Sequence, residues 1–244
     1  MGNGDIRIEV AEASQRDQIA ERTAKLFAES RVRSMARIDR LFAGLLLAEW
    51  AFGIAIALVV SPYSWEGKVQ TIHAHVAVAI VLGAVITIFP VVLAFLRPGW
   101  IGTRHAIAVA QMLWSALLIH LTGGRIETHF HVFGSLAFLA FYADWQVIVT
   151  ATVVVAADHF LRGFLWPESV YGITNPEWWR FLEHAGWVAF EDVFLLTACV
   201  VGTRDLRQSA ARQAELEVVS ESEQLKTAAL EMTLAEMQRT AKRA

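Results

Sequence analysis

Six apolar runs fill the middle of the chain and limit what it can fold into more than any other feature. They cover residues 41–60, 71–96, 105–121, 127–142, 146–164 and 181–202. A helix needs about 20 predominantly apolar residues to cross a bilayer, and most of these runs come close to that length. Apolar residues make up 55% of the chain and charged residues only 18%, which is typical of a membrane protein with polar ends. We therefore predict an all-α, polytopic membrane protein with six transmembrane helices.

Basic residues give these predicted helices an orientation. Arginines cluster just before the first run, in the turn at 97–104 and at Arg204 after the sixth run. Because cytoplasmic ends of spans are enriched in Lys and Arg, we expect both termini in the cytoplasm. The chain shows no basic stripe, which argues against nucleic-acid binding.

The polar ends of the chain are predicted to be helical as well. Residues 1–40 alternate acidic, basic and apolar residues at helical spacing, which favours a cytoplasmic amphipathic helix. Residues 205–244 lack glycine and proline and contain a seven-residue repeat. The repeat consists of Ala211, Ala214, Val218, Leu225, Ala228, Met232 and Ala235, with Glu221 at one core position. We predict a coiled-coil helix that joins two copies into a homodimer, and the alternative is an amphipathic helix packed on its own chain.

Histidines and acids concentrate at one end of the predicted bundle. In the predicted topology seven of the eight histidines lie near the outer, periplasmic face, and only His105 lies at the inner end. Polar groups at membrane depth need a partner, and imidazoles with carboxylates suit zinc, copper or iron. We predict a site for one or two transition metal ions there. Its candidate ligands are His73, His75, His120, Glu127, His129, His131, Asp158, His159 and His184.

Helix geometry narrows the choice among these candidates. Residues two apart project about 200° apart around a helix, so His129 and His131 cannot both face one point. The same holds for His73 and His75 unless their helix begins late. Of the adjacent pair Asp158 and His159, we expect one to bind the ion and the other either to orient that ligand or to contact a lipid headgroup.

Two acids inside the sixth run complete the candidate site. Glu191 and Asp192 must face the bundle or a partner subunit, because an acid facing lipid at the helix centre costs about 2.5 to 3.5 kcal/mol. We treat both as candidates for relaying occupancy of the metal site to the last helix.

Several other interpretations of the histidines stay open. They can be interfacial residues bonded to loops and lipid headgroups, or ligands of a haem or copper redox centre. They can also hold the zinc of a membrane-embedded metallohydrolase, so the sequence leaves enzymatic activity uncertain.

Two polar and aromatic strings carry a resemblance to known sensors. They are ETHFHVFGSLAFLAFYADW at residues 127–145 and DHFLRGFLWPESVYG at residues 158–172. With them, the stretch 73–204 resembles the six-span membrane sensory region of bacterial chemoreceptors, histidine kinases and diguanylate cyclases. The resemblance implies a sensor domain, here residues 41–204, which signals through the last helix and coil to a cytoplasmic output domain or partner. A kinase, cyclase or chemoreceptor signalling sequence does not occur before Ala244, so we expect the output on a longer chain or a separate partner.

Overall fold

The chain folds almost entirely into helices in a computed structural model that describes residues 3–242. Seven helices and one short 3-10 turn account for 86% of the described part. Predictions for the first two and last two residues, at the outer edges of segments 1–40 and 205–244, lie outside it.

The helices follow one another through short connections. Their bounds are Asn3–Val60 (α1), Ala74–Leu96 (α2), Ile101–Leu121 (α3), Ile126–Leu139 (α4), Trp145–Leu165 (α5), Glu168–Tyr171 (α6) and Arg180–Ala241 (α7). The 3-10 turn, Ala140–Tyr142, prolongs α4.

Four helical segments of the described residues are long and apolar enough to cross a membrane. They are Glu12–Val60, Ala74–Leu96, Trp145–Leu165 and Arg180–Ala241, which contain the first, fifth and sixth predicted spans and all but the first three residues of the second. The other two predicted spans fall on α3 and α4, which are not among the four, so six transmembrane helices are not confirmed. A helix covered by its neighbours can carry polar residues, and α3 buries Arg104, Gln111 and Ser115. α4 is only 14 residues long.

Trp114 on α3 is the centre of the core. Its side chain is fully buried, and its indole N–H donates to Oγ1 of Thr87 on α2 at 2.9 Å. Gly53 on α1 and Gly83 on α2 leave room for the ring, since a Cβ at either position would lie within 3 Å of it. Small residues on α1 and α2 therefore let both helices close on α3.

A two-stranded antiparallel hairpin connects α1 and α2. It pairs Tyr63–Glu66 (β1) with Val69–Ile72 (β2), and Gly67 adopts a positive φ of 62° in the turn. The all-α prediction missed this hairpin. Strands of four residues give little periodic signal, and β2 is exposed on both faces, so the usual alternation is absent.

Two buried polar pairs tie the helices together at the end opposite all the histidines except His105. Asp39 accepts hydrogen bonds from the Tyr142 hydroxyl at 2.7 Å and from the Gly99 amide at 2.6 Å. Arg104 and Asp144 form an ion pair at 2.9 Å with both side chains buried. These pairs fix the connections that precede α3 and α5.

The chain divides into two compact units. One unit is Val32–Thr203, which contains the hairpin, α2 to α6 and all the histidines. The other consists of the described parts of Met1–Arg31 and Arg204–Ala244. The division into segments 1–40, 41–204 and 205–244 stays a prediction.

The second unit pairs the beginning of α1 with the end of α7. Arg22 donates to Glu217 at 2.6 Å, and Ala214, a position of the predicted repeat, is fully buried. Leu225 and Met232, later in the repeat, are exposed. The start of the repeat thus packs within its own chain, while the homodimer stays a prediction.

Candidate functional site

Three histidines from three different helices lie side by side. We call His129 on α4, His159 on α5 and His184 on α7 the three-histidine cluster. Their ring centres are 5.2 Å apart for His129 and His184, 5.6 Å for His129 and His159, and 5.8 Å for His159 and His184. The ring of Tyr171 packs against His184 at 5.5 Å. Burial raises the pKa of the Tyr171 hydroxyl, so this side chain stays neutral at physiological pH.

Backbone carbonyls fix the tautomers of two rings in the cluster. Nδ1 of His129 lies 2.9 Å from the Arg125 carbonyl, and Nδ1 of His184 lies 3.0 Å from the Arg180 carbonyl. A carbonyl oxygen can only accept, so Nδ1 carries the proton and Nε2 keeps a lone pair in the neutral ring. Within the described residues, Nε2 of His129 is buried and has no hydrogen-bond partner. Both rings therefore present a nitrogen that can bind a ligand.

The third ring of the cluster lies beside a carboxylate. Nδ1 of His159 is 3.3 Å from Oδ2 of Asp158. Arg162 donates to both oxygens of the same carboxylate at 2.6 Å. Since this paired, two-point geometry is the strong form of an arginine–carboxylate contact, Asp158 is held firmly next to the His159 ring.

Arg162 also connects the cluster to a second set of histidines. Its Nη1 donates to Oγ of Ser169 on α6 at 2.8 Å, and that oxygen lies 2.9 Å from Nδ1 of His120 on α3. A continuous polar chain therefore runs from His159 to His120.

His120 belongs to what we call the second histidine group, with His73 and His75. The ring centres of His75 and His120 are 4.9 Å apart, and those of His73 and His75 are 4.3 Å apart. His73 precedes α2 as its N-cap, and its Nδ1 accepts from the His75 amide. Because α2 begins only at Ala74, two histidines at a spacing of two residues lie together.

His131 lies in a separate buried polar network, on the other side of α4 from His129. Its Nε2 is 3.4 Å from Oε1 of Glu49 on α1, and its Nδ1 is 2.8 Å from the Ser115 hydroxyl on α3. Gln111 donates to the other Glu49 oxygen at 3.0 Å. The network therefore joins α1, α3 and α4.

The remaining candidates are spread out. Glu127 is exposed on α4. Asp192 is buried against Thr152, with 2.7 Å between their oxygens, and Glu191 has a buried oxygen, Oε2, without a partner in the described residues. Among residues 3–242, no group of three or more His, Cys, Asp or Glu side chains is placed so that it could hold a metal ion. The structure thus brings histidines together without forming a metal site.

Three residues of this arrangement were missed by reasoning from the sequence. Arg162 stands four residues after Asp158, a spacing that favours an ion pair on a helix, so its contact could have been found. Ser169 and Thr152 gave no comparable signal, since a single hydroxyl residue carries no pattern and its partners come from distant parts of the chain.

Fold and site together describe a helical bundle with four candidate spans and a buried histidine cluster, and comparison with known proteins adds a signalling relative. A segment of 87 residues is 36% identical to Transducer protein Htr8 of Halobacterium salinarum. The match covers 34% of this chain but only 14% of the transducer. The apolar helices indicate a membrane protein, and the chain spans only a small part of the transducer's length.

Other comparisons gave no match. No protein-family profile matches the chain, and no solved structure does either.

Proposed function

We propose that this chain is the membrane sensor of a signal-transducing protein and that its three-histidine cluster binds a transition metal ion. The bound ion draws α4, α5 and α7 together, and α7 carries the change away from the cluster. The observation that carries this proposal is the set of three adjacent rings: Nδ1 of His129 and of His184 is hydrogen-bonded to a backbone carbonyl, and Nδ1 of His159 lies 3.3 Å from a carboxylate oxygen. Histidines that bind metals through Nε2 usually have their other nitrogen placed in this way.

Ring spacing supports the same proposal. Three imidazoles on one tetrahedral ion, with metal–nitrogen distances of about 2.0–2.1 Å, have ring centres about 5 Å apart. The observed separations of 5.2–5.8 Å are slightly larger. Binding therefore requires the rings to turn until their Nε2 atoms converge and the three helices to come slightly closer. Zinc, copper and iron all accept such a set of ligands.

The position of His184 explains how binding becomes a signal. His184 lies near the start of α7, and this helix continues to Ala241. A ligand shifts an equilibrium only when it binds one state more tightly than the other. A state in which α7 brings His184 to the other two rings binds the ion more tightly, so occupancy favours one position of α7.

The proposal includes the wider organisation predicted from the sequence. The chain has six spans in a bacterial inner membrane, both termini in the cytoplasm and the cluster near the periplasmic face. Two copies associate through the end of α7, which leads to a cytoplasmic output domain or partner. The second histidine group is the candidate for a second ion.

The hydrolase alternative has less support. A zinc hydrolase needs an acid next to the water in the open coordination position. Asp158, the acid beside His159, is instead held by two hydrogen bonds to Arg162.

Metal analysis of the purified chain in lipid nanodiscs tests the proposal. We expect about one zinc, copper or iron per chain after supply of each metal, and loss of at least nine-tenths of it in His129→Ala and His184→Ala. His105→Ala is the matched control, because His105 is bonded to Thr150 at the other end of the bundle. Hydrogen exchange along α7 should slow when the metal is added to the wild type.

Two results would overturn the proposal. One is absence of bound metal in a folded wild-type protein that has been offered all three metals. The other is equal loss of metal in His105→Ala and His129→Ala. A Soret band in the absorption spectrum would show that the bound group is haem and not a metal ion held by side chains alone.

A further inference from the structure

A small apolar cavity of about 130 Å³ extends from the three-histidine cluster between α4, α5 and α7. Its walls are mainly aliphatic, with Val132, Val155 and Val188 among them. Thr152 and Asp192 line its other end. Asp192 follows His184 by eight residues along α7, which places it about 12 Å deeper. The cavity therefore has histidines at one end, a carboxyl group at the other and an apolar middle.

Asp192 is a buried acid that contacts the Thr152 hydroxyl. The Thr152 hydroxyl lies 3.0 Å from the Ile148 carbonyl and 2.7 Å from Oδ2 of Asp192. A hydroxyl has one hydrogen, and the carbonyl can only accept it. Thr152 donates this hydrogen to Oδ2 of Asp192 or to the Ile148 carbonyl. Ion pairs within the described residues do not include Asp192, and an unpaired buried carboxylate is costly.

One of the two carboxyl oxygens of Asp192 is left without a hydrogen bond. Oδ1 of Asp192 is buried and has no hydrogen-bond partner in the part of the chain that the structure describes. The residue as a whole is only 9% exposed. A buried acceptor without a donor is unfavourable, so the site favours a molecule that brings one donor and is otherwise apolar.

We propose that the cavity binds a small uncharged alcohol, with its hydroxyl donated to Oδ1 of Asp192 and its hydrocarbon body between α4, α5 and α7. The size agrees, because an engineered cavity of about 150 Å³ holds benzene. The occupant therefore has about six non-hydrogen atoms. A charged molecule is excluded, since its charge would be buried among aliphatic side chains.

The inference rests on the proposed function for its biological meaning, because the alcohol lies where it changes the contact of α7 with α4 and α5. The binding itself does not require a metal. It can therefore be measured on metal-free protein, and failure of one proposal leaves the other standing.

Saturation-transfer NMR with cyclopentanol tests the inference on the whole chain in nanodiscs, after EDTA treatment and with empty nanodiscs as the reference. Methylcyclopentane, which has a methyl group in place of the hydroxyl, is the matched probe. We expect saturable binding of cyclopentanol at least ten times tighter than that of methylcyclopentane. Asp192→Leu should abolish this preference.

Two further variants separate the inference from damage to the fold. Asp192→Asn keeps an acceptor oxygen and lets its amide donate to Thr152, so it should bind cyclopentanol within about threefold of the wild type. Ala156→Leu fills the cavity from α5 and should weaken binding at least tenfold while the protein stays folded.

Three outcomes would overturn the inference. The first is equal binding of the two probes. The second is unchanged cyclopentanol binding in both Asp192→Leu and Ala156→Leu. The third is loss of cyclopentanol binding in His129→Ala while Asp192→Leu still binds it normally. The last result would place the hydroxyl on Nε2 of His129 instead. Loss of metal in the histidine variants would support the proposed metal site. Normal cyclopentanol binding in Asp192→Asn would separately support the alcohol site.

Discussion

The guanidinium of Arg162 donates to both carboxylate oxygens of Asp158, with nitrogen–oxygen distances of 2.6 Å. The two residues are four apart on α5, so they share one face of the helix. This pair holds the carboxylate beside His159 and, through the third arginine nitrogen, also reaches Ser169 on α6. One arginine thus links the cluster to α6.

Replacing Asp158 by Asn should weaken metal binding without removing it. The residue positions His159 and, in the proposed function, does not bind the ion. Loss of such an orienting partner typically costs about 10- to 100-fold in affinity. Metal titration of Asp158→Asn would measure the effect, with Glu127→Gln at an exposed position of α4 as the control. An unchanged affinity in Asp158→Asn would show that the carboxylate does not orient the ring.

Removal of the Glu49 carboxylate should destabilise the bundle. Glu49 is 6% exposed and is the shared partner of Gln111 and His131. Glu49→Ala leaves Gln111 and His131 without their shared carboxylate partner. Each buried polar group that loses its hydrogen bond costs about 1–3 kcal/mol. The free energy of unfolding, measured by steric trapping in bicelles, should fall by at least that amount. Leu47→Ala, nearby on α1 but 46% exposed, is the control, and equal effects of the two substitutions would contradict the prediction.

Two glycines of α1 should respond differently to alanine. A Cβ at Gly53 would lie 2.6 Å from the Trp114 ring, whereas a Cβ at Gly44 has nothing within 4 Å. Overpacking of this kind typically costs about 1–3 kcal/mol, so Gly53→Ala should lower the unfolding temperature. Gly44→Ala should leave it unchanged or raise it, since alanine favours helix more than glycine does. Thermal unfolding of both variants in one lipid environment makes the comparison, and similar shifts would refute it.

Pairing of α1 with α7 in the second unit should weaken at low pH. The hydrogen bond from Arg22 lowers the pKa of Glu217, so folding favours the charged acid. The contribution of this pair is complete above the unfolded pKa of about 4.3 and is lost as the pH falls through the lower, folded pKa. Pulsed EPR with one spin label on each helix of the pair would follow the separation between pH 7 and 3.

Glu217→Gln provides the control for this pH experiment. It cannot titrate, so its label distance should depend less on pH than that of the wild type. The same pH dependence in both proteins would assign the change to other groups. High salt should also reduce the wild-type effect, since exposed ion pairs are screened.

The helices were predictable where a long apolar run or a helical repeat dominates. The predicted spans at 41–60 and 71–96 fall largely on α1 and α2, because apolar runs of this length have few alternatives. The boundary at His73 was not predictable, since it depends on a hairpin whose strands have only four residues. That boundary is what brings His73 and His75 together.

Membrane topology shows a different limit of sequence reasoning. α3 was predicted as a span from its apolar residues, but Arg104, Gln111 and Ser115 reduce its mean hydropathy, and it is not a candidate span by composition. Its polar residues are tolerated because neighbouring helices cover them. Whether a polar residue faces a neighbour or lipid depends on packing, which a single helix sequence does not contain.

The sequence by itself determined a mainly helical bundle with all histidines but one towards the same end and a polar helix at each terminus, since hydrophobic periodicity and charge act locally along the chain. Only the tertiary structure decided that His129, His159 and His184 lie together, that His131 pairs with Glu49 instead, and that Asp192 lines a cavity. The spacing of two between His129 and His131 excluded a shared site, but it could not choose which ring joins which neighbours. That choice depends on the rotation of α4 relative to α1, α5 and α7, which is set by how their side chains pack.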